Sequence, residues 1–291
     1  MARIFHVNSS MSADNQKKLA AEKAVESIKD GMVIGLGTGS TFQFALEVIS
    51  KKIKDGSLKN IVGVPTSEQT KNEAIRLGIP ITTLNELVQN SELRSQNSAT
   101  SIKNQESSIK QQVSIQKYPK LIDVTIDGAD EAAVSRPESG EGSPIINLIK
   151  GGGGAMLREK VIAQNSTKNI IIIDKTKLSE KLGEKFSVPV EVLQFSFKAE
   201  KKFLESLGAT VTIRKNANSP NLVTKTNTGD VSDNFFVTDE NNFILDANFG
   251  VIENVEELNN ILNNRAGIVE HGLFVNIADE IICGSERINK K

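Results

Sequence analysis

Apolar residues recur along this chain at two periods, and the alternation between them sets the fold class. From Ser12, a candidate N-cap, Leu19, Ala20, Ala24, Val25 and Ile28 follow at helical spacing up to Gly31. Residues 32–36 form a short, continuous apolar run, the pattern of a buried strand. A glycine-rich turn comes next, and Phe42, Leu46, Ile49 and Ile53 mark a second helix. The rhythm repeats as a strand over 61–64, a helix over 67–77 closed by Gly78, and a strand over 79–82. It returns with strands over 121–126, 145–149 and 169–173 and a helix over 155–164. Strands alternating with helices predict a parallel sheet covered on both faces.

Two stretches break the pattern. Residues 89–116 hold 7 Ser, 6 Gln and 3 Asn with no sustained period, and read as a mobile surface insertion. Residues 135–143 read as a smaller surface loop. After Pro189 the texture changes. Strands are expected over 190–193, 210–214, 234–238 and 243–246, with helices over 199–207 and 255–262 and a turn at Asn241-Asn242. Residues 272–276 and 280–283 read as edge strands returning to the first unit. The expected organisation is one α/β domain over 1–188 plus 266–291, and a smaller α+β domain over 189–265. Two domains suit 291 residues at about 150 per domain.

Composition narrows the chemistry. Net charge is −1, so no basic excess points to nucleic acid or anionic membrane. No apolar run reaches the roughly 18 residues of a membrane span. No secretory signal is read at the start, and a cytoplasmic location is expected. A single Cys, Cys283, rules out an internal disulfide, a CxxC pair and a Cys-rich zinc site; it reads as a small apolar core residue. The two His are far apart: His6 reads as terminal and exposed, His271 as structural. Acid–base chemistry therefore falls to carboxylates and Lys. With no Trp and one Tyr, aromatic stacking platforms are not expected.

Three loops carry that chemistry. The first is Gly35-Leu-Gly37-Thr38-Gly39-Ser40-Thr41, between a strand and a helix. Glycine amides, a helix N-terminus and the hydroxyls of Thr38, Ser40 and Thr41 suit a phosphate or sugar hydroxyls. The spacing fits neither a Walker A loop nor a dinucleotide fingerprint. The second is Asp127-Gly128-Ala129-Asp130-Glu131, at the C-terminal end of a strand, where open α/β sheets build ligand sites. Its three crowded carboxylates need compensation, and metal ligation or a Lys with sugar hydroxyls are equal alternatives at this point. The third is Lys150-Gly151-Gly152-Gly153-Gly154, leading into a helix that carries Glu159. Four glycines cost more than a simple turn needs, about 0.5–1 kcal/mol each against Ala, so the backbone is expected to wrap closely around something. Burial of Glu159 would raise its pKa toward that of a working base. Lys177, past the strand 169–173, is by itself an ordinary surface Lys.

Taken together and in this order, GLGTGST, DGADE and KGGGGAMLREK resemble the ribose-5-phosphate isomerase A family. Pro189-Val-Glu-Val192, Ile244-Leu-Asp246 and Gly272-Leu-Phe274 follow the same resemblance, which covers residues from about 13 to 285. It implies a Rossmann-like α/β domain with a small α+β (ferredoxin-like) lid, a homodimer or homotetramer, and no metal or organic cofactor. It implies an aldose–ketose isomerase acting on D-ribose 5-phosphate and D-ribulose 5-phosphate in the non-oxidative pentose phosphate pathway. Glu159 would be the base, with Lys150, Asp127 and Asp130 as catalytic partners. Substrate contacts would come from Thr38, Gly39, Ser40 and Thr41; from Asp127, Gly128, Ala129 and Asp130; and from Lys150, Gly151, Gly152, Gly153 and Lys177. A sugar-phosphate-sensing regulator is a weaker reading, because the first 12 residues leave no room for a helix-turn-helix. An acyl transferase with Glu159 as nucleophile leaves Lys150 and the two Asp without a task.

Overall fold

A computed structural model describes residues 11–89, 120–136, 142–216, 223–225 and 231–290. Most of the expected insertion and residues 137–141 lie outside that set, as does His6. The central feature is a six-stranded sheet in the order Glu286–Asn289, Glu280–Cys283, Ser166–Ile173, Ile122–Asp127, Val33–Leu36, Val62–Pro65. All neighbours are parallel except the first pair. Strands such as Ser166–Ile173 are apolar on both faces because helices cover both. Ser12 caps the helix Ala13–Val25 by accepting the Asn15 amide. Its buried Ala20, Ala21 and Ala24 share one core cluster with Phe42, Ala45, Leu46 and Ile49 of the helix Ser40–Lys54, small residues facing large ones.

Two further four-stranded sheets sit beside this one. A mixed sheet runs Leu273–Val275, Ile145–Ile149, Glu131–Ser135, Leu178–Ser179. An antiparallel sheet runs Ile268–His271, Val188–Val192, Phe243–Asn248, Thr210–Ile213, and shares a core with residues of the helices Phe197–Ser206 and Val255–Asn263. Phe197, Phe235 and Phe243 meet edge-on there, with centroids 5.3–5.9 Å apart. A parallel sheet with a separate antiparallel one is the fold class expected from the sequence.

Several element expectations need correction. Residues 79–82 make one bridge, Gly63 to Ile81, and not a strand; residues 234–238 likewise make only bridges, Lys215 to Phe235 and Val237 to Phe243. Residues 145–149 do form a strand, but it pairs antiparallel with Glu131–Ser135 outside the main sheet. Glu280–Cys283 is not an edge strand, because Glu286–Asn289 folds back and covers its outer side. Leu273–Val275 is at an edge, though of the mixed sheet. The pairs missed by periodicity are short, and a strand of two to five residues carries too few alternations to register.

His271 bears out how deeply a polar ring can be built into such a core. It is fully buried, its Nδ1 accepts the Leu273 amide at 3.3 Å, and its Nε2 lies 3.0 Å from Asn263 Oδ1. Those partners select the neutral tautomer with the proton on Nε2. Burial, helped by the Lys160 charge, pushes its pKa down to about 3. A depressed His pKa means stability that is complete above the unfolded value of about 6.5 and drains away as pH falls toward the folded value. Between pH 7 and pH 5 this residue is expected to remove about 2 kcal/mol of unfolding free energy. Urea titrations at both pH values check this, and His271→Gln is expected to flatten the difference.

Candidate active site

Three glycine-bearing loops meet at the C-terminal ends of their strands. Residues 37–41 follow Val33–Leu36, residues 128–130 follow Ile122–Asp127, and residues 150–154 follow Ile145–Ile149. A fourth contribution, Lys177, comes from the short turn after Ser166–Ile173 that Asp174 caps through the Thr176 amide. Together they line one cleft, open to solvent on one side. Thr38, Gly39, Ser40, Thr41, Gly128, Ala129, Asp130, Lys150, Gly151, Gly152, Gly153, Glu159 and Lys177 all line it.

Asp127 does not line the cleft. It lies behind Lys150, with both oxygens engaged. Its Oδ1 accepts the amides of Thr38 at 3.0 Å and Gly128 at 2.8 Å, while Oδ2 faces Lys150 Nζ at 3.0 Å. This close approach explains Gly37: a Cβ there would stand 2.3 Å from Asp127 Oδ1 and 2.6 Å from its Cα. Asp127 therefore ties the first loop to the second and holds the Lys150 ammonium in place. Asp130 does face the cleft, and its Oδ2 accepts the Gly152 amide at 2.7 Å. Glu131 points elsewhere, fully buried and accepting the amides of Gly183, Lys185 and Phe186. The crowded acidic motif is thus resolved by three separate partner sets.

Lys150 and Glu159 form the electrostatic centre. Their side chains are only 3% and 5% exposed, with Nζ 3.3 Å from Glu159 Oε2. Lys150 also donates to the Gly128 carbonyl at 2.6 Å. Burial would lower its pKa, but Asp127 and Glu159 outweigh that and hold the ammonium charged. Glu159 sits in the first turn of the helix Met156–Gln164, and its Oε2 makes no hydrogen bond. Burial drives its pKa well above the usual carboxylate range, with the Lys150 charge opposing and those of Asp127 and Asp130 assisting. A charged Lys beside a carboxylate that is reluctant to ionise is a pair set up for proton transfer.

One polar feature went unread in the sequence. Thr38 Oγ1 meets Thr66 Oγ1 at 2.7 Å, Ser67 Oγ at 2.9 Å and Thr70 Oγ1 at 3.1 Å, all buried. The sequence placed Ser67 only as the first residue of a helix; in the structure it caps the helix Glu68–Leu77 by accepting the Thr70 amide. Hydroxyls from two different strand–helix turns converge here to fix the Thr38 side chain at the cleft wall.

The sequence model described as ribose 5-phosphate isomerase A (phosphoriboisomerase A) matches residues 96–287. The chain belongs to the ribose 5-phosphate isomerase A family. Ribose-5-phosphate isomerase A of Desulfatibacillum aliphaticivorans is 42% identical over 96% of this chain and 97% of its own. Among solved structures, a D-ribose-5-phosphate isomerase in complex with phospho-erythronic acid is 32% identical, with TM-score 0.74 over 96% of this chain and all of that one. Ribose 5-phosphate isomerase A of Methanocaldococcus jannaschii is 30% identical, with TM-score 0.72 over 96% of this chain and 100% of its own. Among the described residues of this family member, no helix is long and apolar enough to cross a membrane.

Proposed function

We propose that this protein interconverts D-ribose 5-phosphate and D-ribulose 5-phosphate, with Glu159 carrying the proton between neighbouring carbons. The observation that supports it most is the buried Glu159 carboxylate, 3.3 Å from a buried, charged Lys150 on the wall of a cleft lined by glycine amides. In the open-chain aldose, Glu159 takes the proton from C2, and charge builds on O1 of a cis-enediol(ate). The same carboxyl returns a proton to C1 while the charge moves to O2, which becomes the ketone oxygen. Proton exchange between O1 and O2 balances the two halves. Positioned general-base catalysis supplies about 10²–10⁴-fold. The rest must come from stabilising the oxyanion. Lys150 spends N–H groups on Gly128 O and Asp127, leaving its third to reach it, together with the glycine amides.

Asp130 is the carboxylate we assign to the sugar hydroxyls and to opening the furanose ring, since it faces the cleft and Asp127 does not. The 5-phosphate is assigned to residues 39–41, at the start of the helix Ser40–Lys54, with Lys177 as its cation. A homo-oligomer is in keeping with Phe195, which is 87% exposed beside the half-exposed Leu193.

Purified protein in EDTA is expected to form ribulose 5-phosphate from ribose 5-phosphate, followed as ketose appearing; no conversion would end the proposal. Incubation with an acyl-CoA is expected to leave no covalent adduct on Glu159, which separates the isomerase from the transferase reading. The pH profile offers a finer check. Glu159 must be ionised to accept the C2 proton, so kcat/KM rises with pH through its free-enzyme pKa. Because burial raises that pKa, the acid limb is expected well above the roughly 4.3 of an ordinary Glu. A limb at the ordinary position would contradict the assignment.

A further inference from the structure

Arg214 stands outside the cleft, just past the strand Thr210–Ile213. Its guanidinium grips Asp246 with two nitrogens, Nε meeting Oδ2 at 2.9 Å and Nη2 meeting Oδ1. The remaining nitrogen, Nη1, donates to the carbonyls of Gly151 at 2.8 Å and Gly152 at 3.0 Å. The Phe236 ring lies 6.0 Å from the guanidinium and fills the place a Cβ on Gly154 would need, 2.5 Å away. A side chain from the end of an antiparallel strand thus holds the glycine run by its backbone.

Peptide geometry carries the consequence. In a planar trans peptide the C=O and the following N–H point in opposite directions. The Gly151 carbonyl shares its plane with the Gly152 amide, which donates to Asp130 Oδ2 at 2.7 Å on the cleft side. The Gly152 carbonyl shares its plane with the Gly153 amide. One guanidinium drawing both carbonyls outward turns both amides inward. Glycines cannot hold that orientation by themselves, since they lack the Cβ that restricts φ and ψ. The four bonds made here also match the planar fork of Arg and not the point charge of Lys.

We propose that Arg214 is a positioning residue for the isomerisation: by gripping the Gly151 and Gly152 carbonyls it holds the Gly152 amide on Asp130 and turns the Gly153 amide into the cleft, where it binds the enediolate. This rests on the glycine amides serving as oxyanion donors. Arg214→Met, Arg214→Lys and Asp246→Asn would be compared with wild type for kcat, KM, inhibition by phospho-erythronic acid and thermal melting. The acid's carboxylate mimics the planar enediolate.

In Arg214→Met, kcat is expected to fall at least about tenfold, since removing one preorganised oxyanion donor costs about 10²–10³. KM should stay within about twofold while the inhibitor constant rises in step with the loss in kcat, the signature of an interaction made in the transition state. Arg214→Lys is expected to recover part of the loss, because an ammonium can hold one carbonyl. If Arg214→Met melts below the assay temperature, Asp246→Asn is judged by the same readouts. A folded variant that keeps kcat near wild type, or loses kcat with inhibitor binding unchanged, overturns the proposal. An inactive wild type overturns the functional reading as well; an active wild type with an indifferent Arg214→Met overturns this proposal alone.

Discussion

Glu159→Gln is expected to lower kcat by at least about two orders of magnitude while the protein stays folded. The amide matches the carboxylate in shape but has no lone pair basic enough to take a proton from carbon. Stability should not suffer, because the folded state already disfavours the ionised form: burial holds the Glu159 pKa well above its ordinary value. Above neutral pH the substitution removes a charge that burial penalises, so the melting temperature is expected to hold or rise. Loss of solvent-deuterium incorporation at the exchanging carbon, measured beside kcat, distinguishes a missing base from a blocked cleft. A variant that retained most of its kcat would remove Glu159 from the mechanism.

Lys150→Met is expected to damage both activity and stability, and its pH dependence should show why. The ammonium is 3.0 Å from Asp127 Oδ2 and 3.3 Å from Glu159 Oε2, with all three side chains almost fully buried. Removing the cation leaves two buried carboxylates facing each other. Breaking a buried ion pair in this way costs about 3–5 kcal/mol. Burial already raises the Glu159 pKa, and loss of the Lys150 charge that opposes this raises it further above the unfolded value. Stability tied to a raised pKa is present at low pH and lost as pH rises through the folded value. Relative to wild type, the variant should therefore be least impaired near pH 5.5 and most impaired near pH 8. Urea unfolding at the two values tests this, and an equal deficit at both would show that Lys150 does not neutralise the pair. In the variant's folded fraction kcat should fall by about 10²–10³, the usual cost of one oxyanion-stabilising donor.

Much of this centre was legible because each loop's chemistry is local. A run of four glycines, a carboxylate early in the next helix and an acidic turn at a strand end are patterns within a few residues. The buried strands were legible for a similar reason: Ile170–Ile173 are apolar whichever face they present. Legibility failed where an assignment depended on partners far along the chain. The acidic turn 127–131 left metal and Lys as equal compensating cations until Lys150, 23 residues beyond Asp127, was seen at 3.0 Å. Glu131 belongs to the same turn, but its charge is met by the amides of Gly183, Lys185 and Phe186, more than 50 residues on.

From its sequence alone this protein is an α/β chain with three glycine loops, Lys150 and Glu159, because helix and strand periods and turn chemistry are set by neighbouring residues. Only the tertiary structure decided that Asp127 stands behind the ammonium and Asp130 in front of it. Only it showed that Arg214, an ordinary residue at a strand end, holds the Gly151 and Gly152 carbonyls. Side-chain direction and the burial that shifts a pKa come from packing between segments far apart in the chain, 89 residues for Thr38 and Asp127 and 111 for Lys160 and His271, and no local pattern carries that information.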